Sequence, residues 1–182
     1  MRKDKIVAAI EKAREGIGKY LAIMMLLPTV DVSTNKAFQT RFNHFYRIRQ
    51  RSEDWYSEYY SFMERGKSNP PRFEEVLSHL HETLGRYEPS FSSKLAATLN
   101  PEEPVWDQHV IRNTGQKAPA YSSSRKIERA KAVFQGIREW YWERLKSPEG
   151  RLMVEVFDEL VDQHDQITDI KKIDFVLWQT RS

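Results

Sequence analysis

The chain has 182 residues, 40% of them hydrophobic and 12% aromatic, with 7 Gly and 8 Pro; this excludes disorder, collagen and low-complexity repeats and suits one domain, or one domain with an appended helical lobe. It contains no cysteine, which removes disulfides, zinc ribbons, Cys-ligated iron–sulfur clusters and thiol nucleophiles. Its 29 Lys and Arg against 26 Asp and Glu give a net charge of +3, its mean hydropathy is −0.70, and its longest apolar stretch, 20–27, is far short of the about 20 residues that span a bilayer. No signal-peptide pattern follows the basic start Met-Arg-Lys-Asp-Lys, so a cytoplasmic protein without membrane contact is expected.

Apolar residues recur at helical spacing along most of the chain. Ile6, Ile10, Ala13, Ile17, Leu21 and Met24 predict a first helix ended by Pro28, although Gly16 and Gly18 each weaken it by about 1 kcal/mol relative to Ala. A second helix is expected over 34–50, continuing, bent or broken, through Trp55, Tyr56, Tyr59, Tyr60 and Phe62 to Arg65. The 66–71 segment is a break. Phe73, Val76, Leu77, Leu80 and Leu84 share one face of a third helix that Gly85 closes. A short helix over 92–99 stops at Asn100-Pro101, and Asp107 caps another over 108–113 that ends at Gly115. The 115–124 segment reads as an exposed loop, followed by helices over 125–146, 149–166 and 169–179. There is no sustained period-2 alternation, internal repeat or Gly-rich nucleotide loop. The expectation is an all-α protein, one helical domain over 1–182, with any two-lobe arrangement placing its cleft near 86–115.

Charge is segregated along the chain. Residues 32–52 hold no acid but include Lys36, Arg41, Arg47, Arg49 and Arg51, and residues 108–127 hold no acid but include Arg112, Lys117, Arg125 and Lys126. The 149–165 segment is acidic, with Arg151 as its lone basic residue. Basic segments of this kind suit a polyanion partner, and equally the solvated faces of ordinary helices. Phe38, Phe42, Phe45 and Tyr46 would stack bases beside Arg41 and Arg47, or, at helical spacing, belong to the core. The histidines form no His-Glu-x-x-His pattern; Glu75 with His79, and the stripe Glu155, Glu159 and Asp162, read as solvated polar groups. No metal or cofactor is expected.

The 80–115 region is more specific. An amphipathic helix and the connection Gly-Arg-Tyr-Glu-Pro lead into Ser90-Phe91-Ser92-Ser93-Lys94-Leu95-Ala96, and a loop then reaches Pro104-Val105-Trp106-Asp107-Gln108-His109-Val110. This order resembles the helix-hairpin-helix DNA glycosylases of the 8-oxoguanine and endonuclease III type, whose hairpin carries Gly-hydrophobic-Gly-x-Lys, a small-residue helix and then Val-Asp-x-His-Val. The resemblance puts Lys94 in the place of the Schiff-base lysine and Asp107 in that of the essential aspartate. His109 and Val110 match the residues after it, and Ala96 and Ala97 the small residues behind the lysine. Both hairpin glycines are replaced, by Ser90 and Ser92, a Trp precedes the Asp, and the Lys94–Asp107 separation of thirteen positions is short for the family.

The resemblance implies a DNA-directed glycosylase/lyase in which Lys94 is the nucleophile and Asp107 its electrostatic partner. DNA contacts are then expected from Ser92 and Ser93 at the hairpin and from Arg41, Arg47, Arg112, Lys117 and Arg125. An attacking amine must be neutral, whereas free lysine titrates near 10.4; burial or a cationic neighbour, Arg112 or Lys117, is needed to lower it. The alternative is a non-catalytic module on the same scaffold, binding nucleic acid or protein. Lys94 is then a surface lysine and Asp107 only a helix cap.

Overall fold

The structure, a computed structural model, describes residues 1–180. Among them it contains nine α-helices and no strand. α1 (Lys3–Leu26) buries Ile6, Ala9, Ile10, Ala13, Ile17, Tyr20 and Ile23. Its inner face therefore runs through Tyr20 and Ile23, and Leu21 and Met24 are half-buried at its edge.

α2 (Lys36–Tyr46) starts where the Asn35 side chain accepts from the Phe38 N–H, and it is shorter than the sequence suggests. Arg47 adopts φ 55°, ψ 40°, and the Ile48 N–H turns back to the Asn43 carbonyl at 2.9 Å. This left-handed residue ends the helix and turns Ile48 into the core, where it is buried. α3 (Glu53–Arg65) restarts under a Ser52 cap. Phe38, Phe42, Tyr59 and Tyr60 are fully buried and in ring contact with one another, so Phe38 and Phe42 belong to the core and present no stacking platform, whereas Phe45 is partly buried and lines a cavity with Tyr46 and Arg47.

α4 (Phe73–Leu84) buries Phe73, Val76, Leu77 and Leu80 and ends on Gly85 at φ 62°, as its stripe predicts. α5 (Pro89–Leu99) begins three residues before the expected start, because Pro89 occupies the first turn, where no N–H is needed. α6 (Gln108–Thr114) is capped by Asp107 and closed by Gly115. α7 (Lys126–Lys146) and α8 (Pro148–Leu160) meet at Ser147, which caps the second; α8 stops at Leu160, and a 3₁₀ turn (His164–Gln166) leads to α9 (Asp169–Gln179).

α1 packs against α2, α8 and α9, while α4 packs against α5; α7 touches α4, α6, α8 and α9 and so joins the two groups. The join is polar as well as apolar. Arg138 of α7, 5% exposed, reaches Glu74 of α4 and donates from Nε to Glu103 at 2.8 Å in the loop before α6. No described helix is long and apolar enough to cross a membrane. No group of three or more His, Asp and Glu among the described residues is arranged to hold a metal ion. Instead, Glu75 accepts from the Arg72 N–H and His79 bonds Glu58.

Candidate active site

A cavity of about 390 Å³ opens among the end of α2, the first turns of α5, the start of α6, one face of α9 and Ala13 and Gly16 of α1. Lys94 and Asp107 both line it, together with Arg47, Phe91, His109 and Trp178.

Lys94 stands in the second turn of α5. Its Nζ donates to the Tyr46 carbonyl at 3.2 Å and lies 4.9 Å from the Phe91 ring centroid. Burial, opposed by the Asp107 carboxylate and aided by Arg47, pushes the amine down to about 8. An amine titrating at about 8 is about one-tenth neutral at pH 7. The lowering cation is Arg47, not Arg112 or Lys117, both of which are exposed and outside the cavity.

Asp107 is held by three donors. Oδ1 accepts from the backbone N–H groups of His109 at 2.7 Å and Val110 at 2.8 Å, and Oδ2 accepts from the Trp178 Nε1–H at 2.6 Å. The Arg47 guanidinium lies 5.4 Å over the Trp178 ring, and His109 meets that ring edge-on at 6.1 Å. Lys94 and Asp107 thus share a cavity without pairing: the hydrogen bond of the amine goes to a carbonyl, and those of the carboxylate go to N–H groups.

The two serines expected to contact phosphate do something else. Ser92 and Ser93 are fully buried. The Ser92 hydroxyl donates to the Glu88 carbonyl at 2.8 Å, and the Ser93 hydroxyl donates to the Ser90 carbonyl at 2.9 Å while accepting from the Trp106 N–H at 2.8 Å. Because α5 begins at Pro89, both lie inside the helix, and hydroxyls there bond back to carbonyls of the preceding turn. Ser93, next to Lys94, braces Trp106, next to Asp107. It ties the Lys94 and Asp107 segments together and, being buried, offers nothing to a phosphate.

Of the expected DNA-contacting cations, Arg47 is brought to the cavity. Arg41, Arg112, Lys117 and Arg125 are exposed and lie outside its lining.

The α9 wall was not anticipated. Lys171 is buried and donates to Asp174 Oδ2 at 2.9 Å, Tyr141 donates to Asp174 Oδ1 at 3.0 Å, and Phe175 and Trp178 continue the face. Burial opposes the charge on Lys171, but Asp174 outweighs it and holds the amine above its ordinary range. The available signal was a lysine flanked by Ile170 and Ile173, with Phe175 and Trp178 four and seven positions on, on the same face.

No protein-family model, no curated protein and no solved structure matches the chain.

Proposed function

We propose that this cavity is the active site of a DNA base-excision glycosylase/lyase working through Lys94. The observation that carries the reading is a lysine lowered to about 8 in the same cavity as a carboxylate fixed by three donors. An amine at that value combines a useful neutral fraction with high nucleophilicity at physiological pH. About 390 Å³ is within the range of small-ligand sites and accepts one base turned out of a duplex.

In the reaction, the neutral Lys94 Nζ attacks C1′ of the extruded nucleotide. The C1′–N bond breaks, and its electron pair leaves with the base, which takes up the proton released by the attacking amine. Asp107 stabilises the oxocarbenium-like charge on the sugar while the bond breaks. Opening of the sugar ring at C1′–O4′ then gives the Schiff base. Arg47, at the cavity, supplies positive charge for a flanking phosphate.

Borohydride reduces a Schiff base, so it should trap a covalent protein–DNA adduct on oligonucleotides carrying an abasic site or 8-oxoguanine. Lys94→Gln is expected to abolish the adduct while duplex binding at 50 mM salt persists. An undiminished adduct in Lys94→Gln would refute Lys94 as the nucleophile. Binding with no adduct on any lesion would leave the non-catalytic module.

A further inference from the structure

The α9 wall carries a charge pair that the reaction at Lys94 does not use. Lys171 and Asp174 both line the cavity and lie three positions apart on α9, hence on one face. An ammonium has three protons and a carboxylate about four acceptor sites. Their bond to each other, and the Tyr141 hydroxyl on Asp174, leave capacity on both.

Their enclosure differs. The Lys171 side chain is 4% exposed and that of Asp174 16%, so the more enclosed group is a donor and the more accessible one an acceptor. A base entering edge-first puts its exocyclic atom deepest and the adjacent ring nitrogen behind it. In a lactam edge, O=C–N–H, the exocyclic atom accepts and the ring nitrogen donates. In an amidine edge, N=C–NH₂, the order is reversed, and an amino group would face the ammonium while a ring lone pair faced the carboxylate.

We propose that the Lys171–Asp174 pair selects bases with a lactam edge (uracil, hypoxanthine, guanine and their oxidised derivatives) over adenine and cytosine. This rests on the reading of the cavity as a base-excision site. Both hydrogen bonds to a lactam are charge-assisted, the stronger kind. The same ammonium also meets the negative charge that a lactam oxygen gains as the base departs.

The test uses matched bases: hypoxanthine against adenine, and uracil against cytosine. Each base, methylated at the nitrogen that carries the sugar (N9 of the purines, N1 of the pyrimidines) so that only its pairing edge is offered, is titrated into the full chain and followed by amide NMR shifts, for wild type, Lys171→Met and Asp174→Asn, with circular dichroism confirming the fold. Hypoxanthine and uracil are expected to bind wild type about tenfold or more tightly than their counterparts, since the mismatch leaves charged groups unsatisfied. The preference should fall to near parity in both variants. Equal affinities, a preference for adenine or cytosine, no saturation by any base, or a preference that survives in a folded variant each overturn the assignment. Should Lys171→Met fail to fold, the wild-type ligand pairs and the isosteric Asp174→Asn decide. Borohydride trapping on abasic-site DNA separates the two levels: Lys94-dependent trapping without a base preference overturns the specificity assignment alone. A lactam preference without trapping overturns the reaction and leaves a base-binding cavity.

Discussion

Replacing Asp107 by asparagine tests how the site is braced, and its effect follows from three hydrogen bonds. Oδ1 accepts from His109 and Val110, a cap that an asparagine carbonyl oxygen reproduces. Oδ2 accepts from the Trp178 indole at 2.6 Å. In Asp107→Asn an amide NH₂ stands there, two donors face each other, and the indole loses this acceptor. That loss costs about 1–3 kcal/mol, more than any change at the cap. At about 2–4 °C per kcal/mol for a chain of this size, the melting temperature should fall by about 5 °C. Trp178→Phe removes the donor, so on that background Asp107→Asn should cost little, and the double-mutant cycle should give a coupling of about 1–2 kcal/mol. Thermal unfolding of the four proteins by circular dichroism measures it. Additivity within about 0.5 kcal/mol, or an Asp107→Asn protein that melts with wild type, refutes the bracing. A second readout comes from the amine. The carboxylate raises the Lys94 pKa against the downward push of burial, so removing it should shift the pH profile of trapping below about 8. The plateau rate should drop by about 10² to 10³.

Lys94 is charged in both folded and unfolded chains below about 8, so its burial weighs on stability fully there and is relieved as pH rises from about 8 towards 10.5. Lys94→Met should therefore exceed wild type in stability at pH 7 by up to about 3 kcal/mol, an advantage that shrinks over that window; a pH-independent difference in denaturant titrations contradicts the burial argument. Arg138→Leu leaves the half-buried Glu74 and Glu103 without their partner and should cost about 3–5 kcal/mol, read as a drop of about 10 °C in melting temperature. Burial raises the Glu74 pKa, but Arg138 outweighs it and holds the carboxyl below 4.5, so the wild-type advantage over Arg138→Leu should be present at neutral pH and disappear as pH falls below 4.5. If Arg112 and Arg125 contact phosphates, each substitution by Ala lowers the slope of log K against log salt by about 0.9; an unchanged slope removes that arginine from the interface.

Elements whose start, stripe and stop agree could be read directly: α4 from its apolar face and Gly85, α6 from Asp107 and Gly115, α9 from the 169–179 periodicity. The end of α2 could not, because a left-handed arginine is locally unfavourable and only the burial of Ile48 beyond it explains the turn. The serines misled for a local reason. Read as a helix start, they are free donors; one turn inside the helix that Pro89 opens, their hydroxyls are spent on carbonyls. Lys94 and Asp107 were marked by residue type and order, and they do line one cavity. The α9 wall is marked in the sequence by its apolar face alone, not by the charges on it. Lys171 and Asp174 are charged residues three apart in the 169–179 helix, and only the packing of α9 on α1 buries the lysine.

That wall makes the surroundings of Lys94 depend on the packing of α9. The cavity draws Ala13 and Gly16 from α1 and Phe175 and Trp178 from α9, so no contiguous run of helices contains it. Detachment of α9 would admit water to the cavity and remove the indole from Asp107. A rehydrated Lys94 returns towards its ordinary 10.5, and its neutral fraction at pH 7 drops about 300-fold, from about one-tenth to about three in ten thousand. If Lys94 is the nucleophile, its neutral form is supplied by the assembled helices and is scarce in a nascent or locally unfolded chain. Amide exchange along α9 and the reactivity of Lys94 should therefore rise and fall as one process, in opposite senses.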